Sequence, residues 1–416
     1  MLRTTIAAVG WGLCAGLTLC AGLTLCASLA LSACGAAIQP KPTDKGRPTD
    51  LGTTVFRVEG TGGQAKVYER NFQALSEQAL ISFRAEAWAD ALDKFDFAVR
   101  EFPREPGVWA LQWNAGLCLM RLGRPTDAVV RFRDVVERRS GTRDARDAWF
   151  QIADALEAAG QWQEAAMALR AALEDPVTQA KIGGALGLLD ELEAAARLGL
   201  ALKQVGDVAR ADEAFKRVDR LYADHRDTPV VQESEWVVRS LYERGEIYRE
   251  LFAGIRFKLP VERMKRDLED KANLFLKSEN AYFHAVRLHH PKWSLAAGFE
   301  IGHLYQRLIE DIDAAEVPAG LDAYTTEVYR EELWKHTEHL AKRAVNIYRR
   351  NIDLGKRLGR ESSEWVARSE EGLRHMETLI DQNNERRRKI DSGELKPTTA
   401  PAPSPTTPPA TPAPRS

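Results

Sequence analysis

The sequence predicts an all-α chain, a solenoid of antiparallel helix pairs closed by a C-terminal capping helix. Three observations predict it. From about Lys66 to Asn384, apolar residues recur at helical spacing; Ala, Leu, Glu and Arg dominate, and β-branched clusters are few. Small residues repeat: Ala91, Ala128 and Ala165 stand 37 residues apart, each preceded by twelve by Ala79, Gly116 and Ala153. Bulky residues keep step: Phe95, Phe132 and Leu169 follow by four, and Ala98, Val135 and Ala172 follow by seven.

Each type has a packing reason. Two helices approach closely only where the crossing residues are small, and a bulky residue one turn on fills the space this leaves. Gly123 and Gly160 fall five residues before their alanines, in the turn between the helices of a pair. Pro103 closes the first unit; the second and third have Ser140 and Val177 in that place.

This register resembles the tetratricopeptide repeat, which implies a right-handed superhelix. A fourth unit fits it with Leu198, Gly199, Gly206, Ala211, Phe215 and Val218, after an insertion of about nine residues around Pro176 to Leu189. Later units are looser. Gly245 with Tyr248 marks a fifth first helix, whose partner near Lys271 to His289 follows an insertion around Phe257 to Asp267. Gly302 with Tyr305 marks a sixth, with a long second helix from about Thr326 to Leu354. A helix from about Ser362 to Ile390 caps the array, as terminal repeats require. The organisation expected is 1–33 signal segment, 34–62 lipidated cysteine and flexible tether, 63–225 regular repeats, 226–390 divergent repeats and cap, and 391–416 disordered tail rich in Pro, Thr and Ala.

The N-terminus predicts export. Arg3 is the only charge before Lys41, and an apolar run from about Ile6 to Leu31 follows it. The run contains a short duplication: Cys14-Ala-Gly-Leu-Thr-Leu recurs from Cys20. It ends in Leu31-Ser32-Ala33-Cys34, which resembles the lipobox of bacterial lipoproteins. The resemblance implies a diacylglyceryl group on Cys34 and cleavage before it. A second reading is an uncleaved membrane-spanning anchor, for which the run is long enough. Gly35 stands where an inner-membrane retention signal would have Asp, so the outer membrane, periplasmic face, is the expected location. Cleavage leaves only Cys34 and Cys118, and therefore no intrachain disulfide; Cys118 sits in an apolar run and reads as a core thiol.

Charged residues make up 28% of the chain and nearly cancel, for a net charge of -2, which argues against a general nucleic-acid binder. No phosphate loop, nucleophile elbow or metalloprotease motif occurs. The expectation is no enzyme, no metal, no cofactor beyond the lipid and no small-molecule substrate. His336 and His339 share a helix face, but a zinc site needs further ligands that the sequence does not declare. His289 and His290, before Pro291, read as cations suited to a helix end, as does the cluster Arg386-Arg387-Arg388-Lys389, with anionic lipid or a partner as its second reading.

The family resemblance places positions 2, 5, 9 and 12 of each first helix on a concave groove. In the second unit these are Ala110, Trp113, Leu117 and Met120; in the third, Asp147, Phe150, Asp154 and Glu157; in the first, Leu80 and Phe83 fall in the same places. Aromatic residues, Met and carboxylates together suit an extended or helical peptide. Two readings stand: Trp113 and Phe150 line an open groove, or added segments cover them and they are core. The resemblance implies a scaffold or adaptor for envelope proteins. It extends in architecture to lipoproteins of the myxobacterial gliding-motility machinery and of outer-membrane protein assembly; a regulator of cell-wall enzymes is one rival, and a degenerate enzyme or small-ligand carrier, for which the sequence declares no pocket of converging polar groups, is the other.

Overall fold

A hairpin and then a helix array make up the described residues of the computed structural model, 54–59, 66–360 and 362–396. The expected signal segment, Cys34 and the tail beyond 396 lie outside the described residues.

Strands β1 (Thr54–Glu59) and β2 (Lys66–Asn71) pair antiparallel, from Thr54 opposite Asn71 to Glu59 opposite Lys66. This corrects the expected tether, which was to run to residue 62. The cause is visible in Thr-Val-Phe-Arg-Val-Glu, where β-branched and aromatic residues cluster in a run too short to register in a helical window. Asn71 ends β2 and starts the next element: its Oδ1 accepts a hydrogen bond from the Ala74 amide at 3.2 Å, capping α1.

The helix pairs follow in order. They are α1 (Phe72–Arg84) with α2 (Trp88–Glu101), α3 (Val108–Arg121) with α4 (Pro125–Arg138), and α5 (Arg143–Ala158) with α6 (Trp162–Glu174). A short α7 (Pro176–Lys181) precedes α8 (Leu188–Val205) and α9 (Val208–Asp224). A one-turn α10 (Pro229–Gln232) precedes α11 (Glu235–Gly254) and α12 (Val261–Arg287). The last elements are α13 (Trp293–Asp313), α14 (Ala323–Arg357) and α15 (Glu364–Asp391). None of the described helices is long and apolar enough to cross a membrane.

The core is the repeat pattern itself. Ala79, Ala91, Phe95 and Ala98 are buried, as are Ala128, Phe132 and Val135, then Ala153, Ala165 and Leu169. The bulky residue of each second helix lies on the small residue of the first. A Cβ built on Gly116 would come within 2.7 Å of the Phe132 ring, and one on Gly199 within 2.5 Å of Phe215. The divergent half keeps the rule with tyrosine: Tyr282 lies on Gly245 and Tyr348 on Gly302, each leaving only 2.5 Å for a Cβ. Turn glycines Gly123, Gly160 and Gly206 have φ of 69°, 70° and 85°, left-handed values that let one helix stop and the next begin. The first unit has Glu86 in that place, at φ 57°.

The insertions are built, not loose. The segment expected between Phe257 and Asp267 is mostly the start of α12, which begins at Val261. Its preceding loop is held by Lys271, which is fully buried: Nζ donates to the carbonyls of Phe252 (2.8 Å) and Ile255 (2.9 Å) and pairs with Asp311 (2.8 Å). The insertion after α6 is held likewise by Arg146, whose guanidinium reaches the carbonyls of Ile182, Gly183 and Ala185, each at 3.2 Å. At the far end Tyr348 is closed on by Gly372 of α15 as well as Gly302 of α13, so the cap locks onto the last pair.

Candidate protein-binding face

The predicted groove residues separate into three groups. Trp113 and Leu117 are 5% and 9% exposed, and Trp113 sits edge-on to Phe132 at 5.7 Å between ring centroids. They are core, which corrects the groove reading for these two residues. The physical reason is that Gly116 draws Phe132 onto α3, and Trp113, one turn earlier, packs against that ring. Phe83, Met120 and Phe150 are half-buried. Phe83 stands edge-on to Trp88 (5.2 Å) and Phe95 (6.3 Å). These three remain reachable.

Asp154 and Glu157 form the third group, and they are already engaged. Both clamp Arg197 of α8, at 2.6 Å and 3.0 Å, and Glu193 adds a third carboxylate at 2.9 Å. The Arg197 side chain is only 3% exposed. Burial works against its charge, yet the three carboxylates more than offset this and hold its pKa above the ordinary arginine value. Burial also pushes Asp154, Glu157 and Glu193 up from the usual carboxylate range, with Arg197 opposing it. The cluster carries two more negative charges than positive when ionised.

Sequence reasoning missed the continuation of this face into the divergent repeats. The same register counted from Gly199, Gly245 and Gly302 reaches Glu193 and Lys203, then Arg239, Tyr242, Glu246 and Arg249, then Phe299, His303 and Gln306. Lys203 pairs with Glu243 at 2.9 Å and Glu250 at 3.4 Å. Arg249 pairs with Glu246 at 2.6 Å and Glu300 at 3.5 Å, and His303 meets Glu300 at 3.4 Å. Burial works against the Glu246 carboxylate, but Arg249, Tyr282 and Lys203 hold its pKa below the ordinary value. The first-helix face is thus a ladder of half-buried charge pairs with aromatic residues between them. The signal that finds it was available: the register of the small residues, carried past the insertions.

Other expectations resolve locally. Cys118 is fully buried, and burial, with Asp96 nearby, pushes its thiol up to about 12, so it is an inert core group. His290 does not serve as a cation at a helix end. Its Nδ1 accepts from the amides of Lys292 (3.3 Å) and Trp293 (3.4 Å) at the start of α13, and burial pushes its pKa down. Half of the basic cluster is spent on structure: Arg386 binds Glu327 (3.0 Å) and Arg387 binds Glu331 (2.6 Å) and Glu338 (3.2 Å), while, among the described residues, the exposed Arg388 and the half-exposed Lys389 pair only with Glu385 on their own helix. Among the described residues no group of three or more His, Cys, Asp or Glu is placed to hold a metal ion.

Residues 76–132 and 114–181 match the family model of the tetratricopeptide repeat. This part of the chain carries tetratricopeptide repeats. Their packing rule continues to Tyr348, so the array as a whole is an α-solenoid of this type. Among proteins of curated function, none matches the sequence. Solved structures similar to the tetratricopeptide array include a tetratricopeptide repeat protein from Parabacteroides merdae (12% identity, 72% of this chain and 98% of that one, TM-score 0.33). A second is a protein with such repeats from Bacteroides fragilis (15%, 57% and 97%, TM-score 0.31), and a third is the apo form of RapI (12%, 78% and 77%, TM-score 0.37).

Proposed function

We propose that this protein is a lipid-anchored scaffold that holds protein partners of a bacterial envelope complex on the first-helix face of its repeats. The observation that carries the docking reading is the ladder of half-buried charges from Asp154 to His303, flanked by the half-exposed Phe83, Met120 and Phe150. Ordered charges on a rigid surface give a partner specificity and register, and half-exposed aromatic residues give it contact area. Stacked helical repeats of this kind build extended surfaces suited to binding other proteins.

The anchor rests on Leu31-Ser32-Ala33-Cys34, and the location proposed is the periplasmic face of the outer membrane. The process proposed is an envelope-spanning machine, with gliding motility first and outer-membrane protein assembly or control of cell-wall enzymes as the alternatives. Crosslinking and capture in the native host separate them. Wild type is expected in the outer membrane with a defined set of envelope proteins, whose identity names the machine. Cys34→Ala should leave the membrane, and Met120→Ala with Phe150→Ala should lose the partners while keeping full helicity. A chain that stays soluble regardless of Cys34, or that comes down alone, refutes the reading.

A further inference from the structure

On the other face of the array, where second helices are neighbours, two pockets recur one repeat apart. The first lies between α9, α11 and α12, and the second, of about 550 Å³, between α12, α13 and α14. The second is the more informative. His289, His339, Lys342, Arg343, Arg350 and Arg357 line it, and no Asp or Glu does. Its walls are apolar: Phe283 and Val286 from α12, Ile301 from α13, Ile347 and Leu354 from α14. Two of the cations have partners beside the pocket, Lys342 with Glu338 at 2.7 Å and Arg343 with Glu279 at 3.2 Å. Arg350 and Arg357 are exposed and form no ion pair with any described residue.

The α12–α13 turn sets His289 on the rim, its left-handed φ of 54° being how α12 ends. One feature argues that this is more than a solvated helix face. The first pocket repeats the character, with Arg226, Lys277, His284 and Arg287 against a single carboxylate, Asp219, which Arg244 engages. A chain whose charges cancel overall has thus gathered cations at equivalent places in two successive repeats.

We propose that the α12–α13–α14 pocket binds a phosphate ester with an apolar body, its head between Arg350 and Arg357 and its body against Ile301, Ile347 and Leu354. Guanidinium groups match phosphate oxygens in pairs, and low-dielectric walls beside one sign of charge strengthen the attraction. The volume is that of a small-ligand site and too small for a helix. The occupant must carry both an anion and a hydrocarbon surface, since the pocket offers both. Such esters come from two sources, the headgroup region of an anionic phospholipid and a soluble organic phosphate.

The test is titration of the full chain carrying Cys34→Ala with hexyl phosphate, inorganic phosphate and hexanol, followed by calorimetry. Hexyl phosphate should bind more tightly than either fragment. Arg350→Gln with Arg357→Gln should weaken it by about tenfold or more, from the loss of two charge-assisted contacts. Arg349→Gln, on the same helix but outside the pocket and paired with Glu377, should not. Vesicles of phosphatidylcholine with and without phosphatidylglycerol distinguish the sources, the neutral vesicles accounting for the apolar N-terminal run. Binding to the anionic vesicles that depends on Arg350 and Arg357 assigns the lipid headgroup; binding of hexyl phosphate alone assigns the soluble ester. No binding of hexyl phosphate, equal binding by the double variant, or equal loss in Arg349→Gln overturns the proposal.

Discussion

The ring of Tyr348 meets the backbone of Gly302 along its Cδ1–Cε1 edge, so close that a Cβ there would stand 2.5 Å from Cε1. Tyr348 cannot retreat, because Gly372 presses on its other side. Gly302→Ala should therefore destabilise the protein by about 1–3 kcal/mol through overpacking, despite alanine's better helix propensity. Gly254→Ala, with open space around the new Cβ, should be neutral or stabilising by up to about 1 kcal/mol. Chemical denaturation of both variants checks the pair; equal effects would show that close approach is not what Gly302 provides.

Replacing Arg197 by Met should cost about 3–5 kcal/mol at neutral pH, because three half-buried carboxylates then face each other without a cation. The pH dependence has a definite sign. Burial raises the folded pKa of Asp154, Glu157 and Glu193 above the unfolded value, so their contribution to stability is present below the unfolded pKa and lost as pH rises through the folded one. Removing Arg197 raises the folded values further. The deficit of Arg197→Met should thus shrink towards about pH 4 and grow towards neutrality. Melting curves across that range test it, and a deficit independent of pH would show the loss to be one of packing.

Lys271→Met keeps the volume of the buried side chain but removes the donor to Phe252 and Ile255 and the partner of Asp311. The expected cost is about 3 kcal/mol, concentrated in the loop before α12. Hydrogen exchange should quicken at residues 252–258 and leave α3 and α4 unchanged. Uniform quickening along the array would mean that Lys271 stabilises the whole and not the loop.

Glu86 occupies the turn position that Gly123, Gly160 and Gly206 fill in the next three units, and at φ 57° its backbone is strained by the Cβ that glycine lacks. Glu86→Gly should stabilise the protein by up to about 1 kcal/mol, the relief of strain exceeding the entropy glycine adds to the unfolded chain. A rise in the denaturation midpoint checks it.

Much of this architecture was legible because its rule is short-ranged. Ala91, Ala128 and Ala165 announce themselves by even spacing, and each is buried where the pattern requires. The rule grew faint where the helices lengthened: Gly116 and Phe132 are 16 residues apart, but Gly302 and Tyr348 are 46 apart, so a fixed period no longer joins them. Burial was harder still. Trp113 has the groove register, yet Phe132 and the neighbouring helices enclose it, and only the packed array reveals that. Asp154 and Glu157 were visible as a charged pair on α5, but Arg197 lies beyond the insertion that breaks the count. The hairpin before α1 escaped notice because six residues cannot outvote a helical window.

Lys271 and Arg146 do the same thing at two places: each points one cation into a bend and gathers its carbonyls. In an array where every unit leans only on its neighbours, a floppy splice would be a joint, and tension applied at one end would stretch that joint first. With both splices riveted, load passes from turn to turn as along a coiled spring. An array built this way passes strain from one repeat to the next instead of coming apart at the seam.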